Sequence, residues 1–288
     1  SSALRLEECA IPRQMGSMSR LDDPEYARFA WGRFRRLLGW SGLVGLVASV
    51  LAIWLVVAGI VKGATGIGYT SCALPFLAAA IGLKPAISLV LLPAMASNLL
   101  VVVVTPHRME MLRRFSPMYL ATLPGMILGV YLLSWVDQRI STFVLGLLIV
   151  AYSIFAIARP SFAIPGKFES PLQVPVGLLN GFFTGLTGSQ VLPLMPYILG
   201  LHLDPDRTTQ VVNLTITIAS GFMMIALYQS GIASAHSLME SVAAVVPALL
   251  GIYAGNKLRS LIPAQHYRLY VQVTLGFLGA SLVVKQFM

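Results

Sequence analysis

Twice along this chain a long apolar run breaks at the same pattern of glycines and threonine, and polar side chains follow at once. Gly59, Gly63, Thr65 and Gly66 form the first pattern, and Gly181, Gly185, Thr187 and Gly188 repeat it at an offset of 122. Pro75, Gly82 and Leu83 return as Pro193, Gly200 and Leu201 at an offset of 118. Gly68, Tyr69, Thr70 and Ser71 follow the first break; Ser189 and Gln190 follow the second, with Thr184 just before it. The chemistry open to these residues is anion binding. At Gly66, Gly68 and Gly188 the chain must turn, so a helix starting there exposes free N–H groups and a partial positive charge. Hydroxyl and amide groups can replace an oxyanion's hydration shell without a permanent charge. A duplicated unit broken at matching places points to a binding site near the middle of a membrane.

Each of these residues also has a plainer role. Gly59 and Gly63, like Gly181 and Gly185, are small-xxx-small pairs that let helices pack closely. Serine and threonine at a helix end can simply satisfy the backbone. Lys62 is the strong cation inside a glycine pattern: it either holds the anion or snorkels to the interface. Asn98 and Asn213, with Ser97, Thr215 and Thr217 nearby, line a pathway or bond helix to helix; the second role suits Ser97 and Thr217 better. Arg207 precedes a polar-started span and is expected to answer Asp204 or Asp206 at the surface. Cys72 is expected to pack as a small residue.

Catalysis finds no support. Zincin, nucleophile-elbow and phosphate-loop motifs are absent. His107, His202, His236 and His266 are dispersed, so no metal is expected, and no cofactor either. Cys9 and Cys72 imply no disulfide framework.

The elements around these residues are apolar throughout. Of 288 residues, 57% are hydrophobic and 11% charged, and the mean hydropathy is +0.79. A soluble chain this long could not hide that much apolar surface, so an all-α polytopic membrane protein is expected. The charge of +9 is scattered over termini and loops, which suits the bilayer surface rather than nucleic acid. Apolar segments fall near 41–61, 69–83, 86–104, 117–136, 140–158, 172–187, 190–201, 209–229, 239–257 and 268–287. Crossing the hydrocarbon takes about 20 residues, so 69–83 and 190–201 are expected to be half-helices lining a cavity. That predicts about eight full spans plus two short helices, in two repeats: 40–158 and 172–288, joined by a proline-rich linker at 159–171. Residues 1–39 form a tail whose basic amphipathic stretch, 25–38, is expected to lie on the bilayer surface. With eight crossings and the N-terminus inside, Arg108, Arg113, Arg114, Arg159 and Lys167 lie inside and Asp204 and Asp206 outside. Lys257, Arg259 and Arg268 then also fall outside, against the positive-inside rule. If the short segments cross, each half has five crossings and the repeats are inverted; the charges do not decide.

At "GIVKGATGIGYTSCALPFLAAAIGLKPA" and "GLLNGFFTGLTGSQVLPLMPYILGLHLDP" the chain resembles the TauE/SafE family of sulfite exporter-like permeases. The resemblance covers about residues 40–287. It implies a multi-pass protein of the bacterial inner membrane that moves small sulfur-containing anions, such as sulfite or organosulfonates, commonly outward. The expected substrate-binding residues are Lys62, Thr65, Gly66, Gly68, Tyr69, Thr70, Ser71, Thr187, Gly188, Ser189, Gln190 and Asn213. A small anion and the lipid bilayer are the expected partners; a coupling ion and a homo-oligomer stay open. A channel for anions or small neutral solutes and a membrane assembly factor without transport activity are the competing readings.

Overall fold

The computed structural model describes residues 49–64, 68–158, 162–190, 192–259 and 264–286, with backbone alone at 259 and 264–271. Thr65, Gly66 and the amphipathic stretch 25–38 lie outside the described residues. Leu51–Met288 forms one compact unit. Its helices are α1 (Ser49–Ala64), α2 (Tyr69–Ile81), α3 (Leu83–Val104), α4 (Arg108–Arg114), α5 (Ser116–Trp135), α6 (Gln138–Ala158), α7 (Glu169–Thr187), α8 (Leu194–Gly200), α9 (Pro205–Gln229), α10 (Ala235–Arg259) and α11 (Ala264–Val284).

Among the described residues five helices are long and apolar enough to cross a membrane: α3, α5, α6, α9 and α10. That is fewer than the eight expected. α1 and α11 contribute shorter described apolar stretches. α7 is diluted by the buried polar residues Gln173, Asn180, Thr184 and Thr187. The two short helices follow the breaks as expected, α2 with 13 residues and α8 with 7. The short helix α4 was not expected. Its seven residues carry three arginines and no span-like run; it is held by Met111 and Phe115, both fully buried four residues apart.

Glycines set the closest helix contacts. α7 lies along α5, with Gly177 on Met118, Gly181 on Thr122 and Gly185 on Met126. Gly125 and Gly129 of α5 face α7 in return. α1 lies along α10 in the same manner, Gly59 and Gly63 against a strip that includes Gly251 and Gly255. A Cβ at most of these positions would run into a backbone carbonyl across the interface, so glycine is what lets the backbones meet. The first helix after each half begins therefore packs on a helix of the other half.

Polar contacts at the helix ends show which termini share a face. Arg114 at the end of α4 pairs with Glu169 at the start of α7 at 2.6 Å, and Arg207 at the start of α9 pairs with Glu110 of α4 at 2.9 Å. Ile164 N–H donates to Gly200 O at the end of α8 (2.7 Å), and Gln210 Nε2 donates to Val102 O (3.2 Å). Thus α7 leaves this face and α8 returns to it. At the other face Lys285 reaches Ala79 O (3.1 Å), and Gly82 meets Gln138. α2 ends there, beside an α1 whose Trp54 stacks on Phe76 at 3.6 Å. The broken pairs α1–α2 and α7–α8 run in opposite senses.

The sequence left two arrangements open, and only the eight-crossing one set Asp204 opposite the arginines of α4. The turn bearing Asp204 lies on the same face as Arg108, Arg113 and Arg114, because α8 carries the chain back before α9 starts. The 25-residue helices α9 and α10 then bring Lys257 to that face too, and the conflict with the positive-inside rule disappears.

Candidate functional site

The second break is a left-handed turn. Gly188 has φ +76°, and its N–H donates to Thr184 O at 2.7 Å, closing α7. Thr187 Oγ1 donates to Phe183 O (2.7 Å) and accepts from Ser189 N–H (3.2 Å); Thr184 Oγ1 donates to Ser189 O (3.3 Å). Thr187 is thus spent on the backbone. Ser189 Oγ and Gln190 Oε1 are buried with no partner among the described residues.

Of the first break, Gly68 takes φ +98° at the start of α2, and a Cβ there would meet nothing within 4 Å among the described residues. Tyr69 is buried, and its hydroxyl has no partner among the described residues.

The second break and α2, the helix that follows the first break, meet at one cavity. Its walls are Thr70 and Leu74 of α2, Ile87, Val90, Leu91 and Ala94 of α3, Gly188 and Gln190, and Ser220 and Met223 of α9. It has room for about one water molecule. Of the expected site residues, Thr70, Gly188 and Gln190 line it; Tyr69 and Ser189 neighbour the lining residues in the chain but, like the equally adjacent Ser71 and Thr187, are not part of the wall. Asn213 is buried two turns of α9 before Ser220; its Nδ2 donates to Thr209 O (2.8 Å) and its Oδ1 has no partner among the described residues.

Lys62 does not snorkel. It is 3% exposed, donating to Ser97 Oγ (3.0 Å) and to Asn98 Oδ1 of α3. Ile87, Leu91, Ala94 and Asn98 share one face of α3 at steps of four, three and four residues, so the ammonium sits one turn beyond the cavity wall. No carboxylate pairs with it among the described residues. Ser97, expected as a helix-to-helix bond, and Asn98, left open between that role and lining a pathway, are what hold it. Arg207 behaves as expected, pairing with Asp204 as well as Glu110.

Sequence reasoning missed two buried polar residues here. Ser220 completes the series Asn213, Thr217, Ser220 on one face of α9, and that spacing was a usable signal. Asn180 is fully buried on α7, and neither atom of its amide has a partner among the described residues. Buried polar atoms without partners cost about 1–3 kcal/mol each, so this interior suits water or a polar ligand.

Long apolar helices around a set of buried polar side chains describe a membrane protein. The chain belongs to the sulfite exporter TauE/SafE family, whose model matches residues 50–282. No curated protein and no solved structure matches it. Family membership makes it a membrane transporter of the sulfur-anion exporter type.

Proposed function

We propose that this protein is a secondary transporter that exports a small sulfur oxyanion or organosulfonate by alternating access between two inverted repeats. The observation that carries this reading is the meeting of the second glycine break with the helix after the first at one cavity, one helical turn from a buried ammonium that has no acidic partner among the described residues. In this reading the substrate sits between Thr70, Gly188, Ser189, Gln190 and Ser220, and Lys62 offsets its charge. Gly68 presents backbone at the start of α2, and Asn213 borders the path. An ammonium 4 Å from a unit negative charge is worth about 4 kcal/mol at an effective dielectric of 20, which is enough to replace part of the lost hydration. The remaining contacts are neutral, which keeps release feasible. The face bearing α4 collects Arg108, Arg113, Arg114, Lys167 and Lys257, and is cytoplasmic in this reading.

The test is flux into proteoliposomes for sulfite, sulfate, thiosulfate, taurine and sulfoacetate, paired with thermal shifts in detergent. Ligand at a hundredfold excess over Kd stabilises by about 2.7 kcal/mol. At least one sulfur oxyanion is expected to give saturable flux and a saturable rise in Tm, with chloride at matched ionic strength doing much less. Flux that never saturates would identify a channel. An unrelated solute that binds while every sulfur anion fails would sink the substrate class.

A further inference from the structure

The helix α4 has no counterpart in the second half among the described residues: α9 and α10 are joined there only by the turn 230–234. α4 lies across the entrances of the second half. Arg114 holds Glu169 through two guanidinium nitrogens, Nε to Oε1 at 2.6 Å and Nη2 to Oε2 at 2.8 Å. Glu110 receives Arg207, which also holds Asp204, and His107 Nδ1 lies 3.0 Å from Glu110 Oε2. Directly behind each ion pair is a buried amide. Gln173 follows Glu169 by one turn, and its Nε2 donates to Arg114 O (3.1 Å). Gln210 follows Arg207 by three residues. The side-chain oxygens of Gln173, Gln210 and Asn213 and the hydroxyl of Ser220 have no partner among the described residues. On α9, Gln210, Asn213, Thr217 and Ser220 keep one face at helical spacing and end at the cavity wall. A polar stripe about 15 Å long, in which Gln210 Oε1, Asn213 Oδ1 and Ser220 Oγ have no partner among the described residues while Thr217 Oγ1 donates to Asn213 O, runs from a surface ion cluster to a cavity and has the chemistry of a closed water path.

We propose that α4 is the gate of that path: its ion pairs to Glu169 and Arg207 hold the α4 face shut, and their release opens the α9 stripe to water. The proposal rests on the transport reading for its purpose, but its test needs no substrate. In a Cys9→Ser, Cys72→Ala background, Ser220→Cys places one thiol on the cavity wall. A membrane-impermeant methanethiosulfonate is then applied separately from each face of oriented vesicles. From the α4 face, labelling is expected to be slow with the ion pairs intact and at least tenfold faster in Glu110→Gln/Glu169→Gln. The single reversal Arg114→Glu should also speed it, and Arg114→Glu with Glu169→Arg should restore the slow rate. Labelling from the opposite face should not rise. Fast labelling with the pairs intact, no response to their loss, or an equal rise from both faces would overturn the gate, the last by showing that the pairs only hold the fold together. If the labelling follows expectation while no sulfur anion is transported, the gate stands and the substrate class falls. The reverse result removes the gate and leaves the transport reading.

Discussion

The two breaks are built from one repeated pattern and have diverged in what they offer. Lys62 of the first occupies the position of Thr184 in the second, 122 residues on. Lys62 reaches across to α3, to Ser97 and Asn98. Thr184 stays within its own loop and closes it on Ser189 O. The glycines differ as well. A Cβ at Gly68 would meet nothing within 4 Å among the described residues, whereas one at Gly188 would stand 2.8 Å from Ile87 Cγ1 and 3.2 Å from Leu74 Cδ2. One break supplies a buried charge bonded to α3; the other supplies a tight neutral turn. An anion site needs both, since a single cation with neutral neighbours attracts the substrate without trapping it.

The sharpest way to break this comparison is to fill both glycines. Gly188→Leu suffers the left-handed backbone, about 1–2 kcal/mol, and overpacking of about 1–3 kcal/mol. Its Tm should fall clearly and transport should be lost in protein that still runs as a monodisperse peak. Gly68→Ala meets only the backbone penalty and should lose much less stability. Equal Tm and flux in the two variants would erase the difference between the breaks.

Next in size is the charge. Lys62→Met should weaken anion binding at least tenfold, about 1.4 kcal/mol, measured by titration of the same anion against both proteins. Thr184→Val removes one neutral hydrogen bond and should cost about 1 kcal/mol of stability, with affinity changed less than in Lys62→Met. If Thr184→Val weakens binding more, the second break holds the substrate and Lys62 is structural.

The smallest effect concerns the ion pairs at α4. The guanidinium of Arg207 holds the Glu110 carboxyl below its usual range, and the Arg207 backbone N–H, followed by its guanidinium, does the same for Asp204. The groups facing Glu110 are Arg207 and His107. Carboxyls depressed in the closed state favour closure at pH above the ordinary carboxylate value, near 4, and that contribution is lost as pH falls through their lowered values. Spin labels on Met109 and Asp206 should therefore keep one separation from neutral pH to about 5 and spread below it. Arg114 is raised by its bond to Glu169 and stays charged throughout. No spreading at acid pH would show that the apolar anchors Met111 and Phe115 hold α4 without the charges.

The amino-acid sequence by itself determined the class of protein, the two breaks and the short helices after them. Those depend on local chemistry: apolar length sets what can enter a bilayer, and glycine sets where the chain can turn. The starts of α3, α5 and α7 fall within about three residues of the expected segments, because caps and prolines act locally. Tertiary structure alone decided the rest. Whether Gly59 and Gly181 pack helices or bind substrate depended on Gly251, Gly255, Gly125 and Gly129, which are far away in the chain. Lys62 could snorkel or turn inward until Ser97 and Asn98 were placed beside it. The side of the membrane reached by Asp204 depended on whether α8 returned, and counting spans could not show that. Hydropathy records how much apolar surface a segment has, but not which neighbour covers it; the same glycine and the same lysine therefore acquired their roles only when another helix was packed against them.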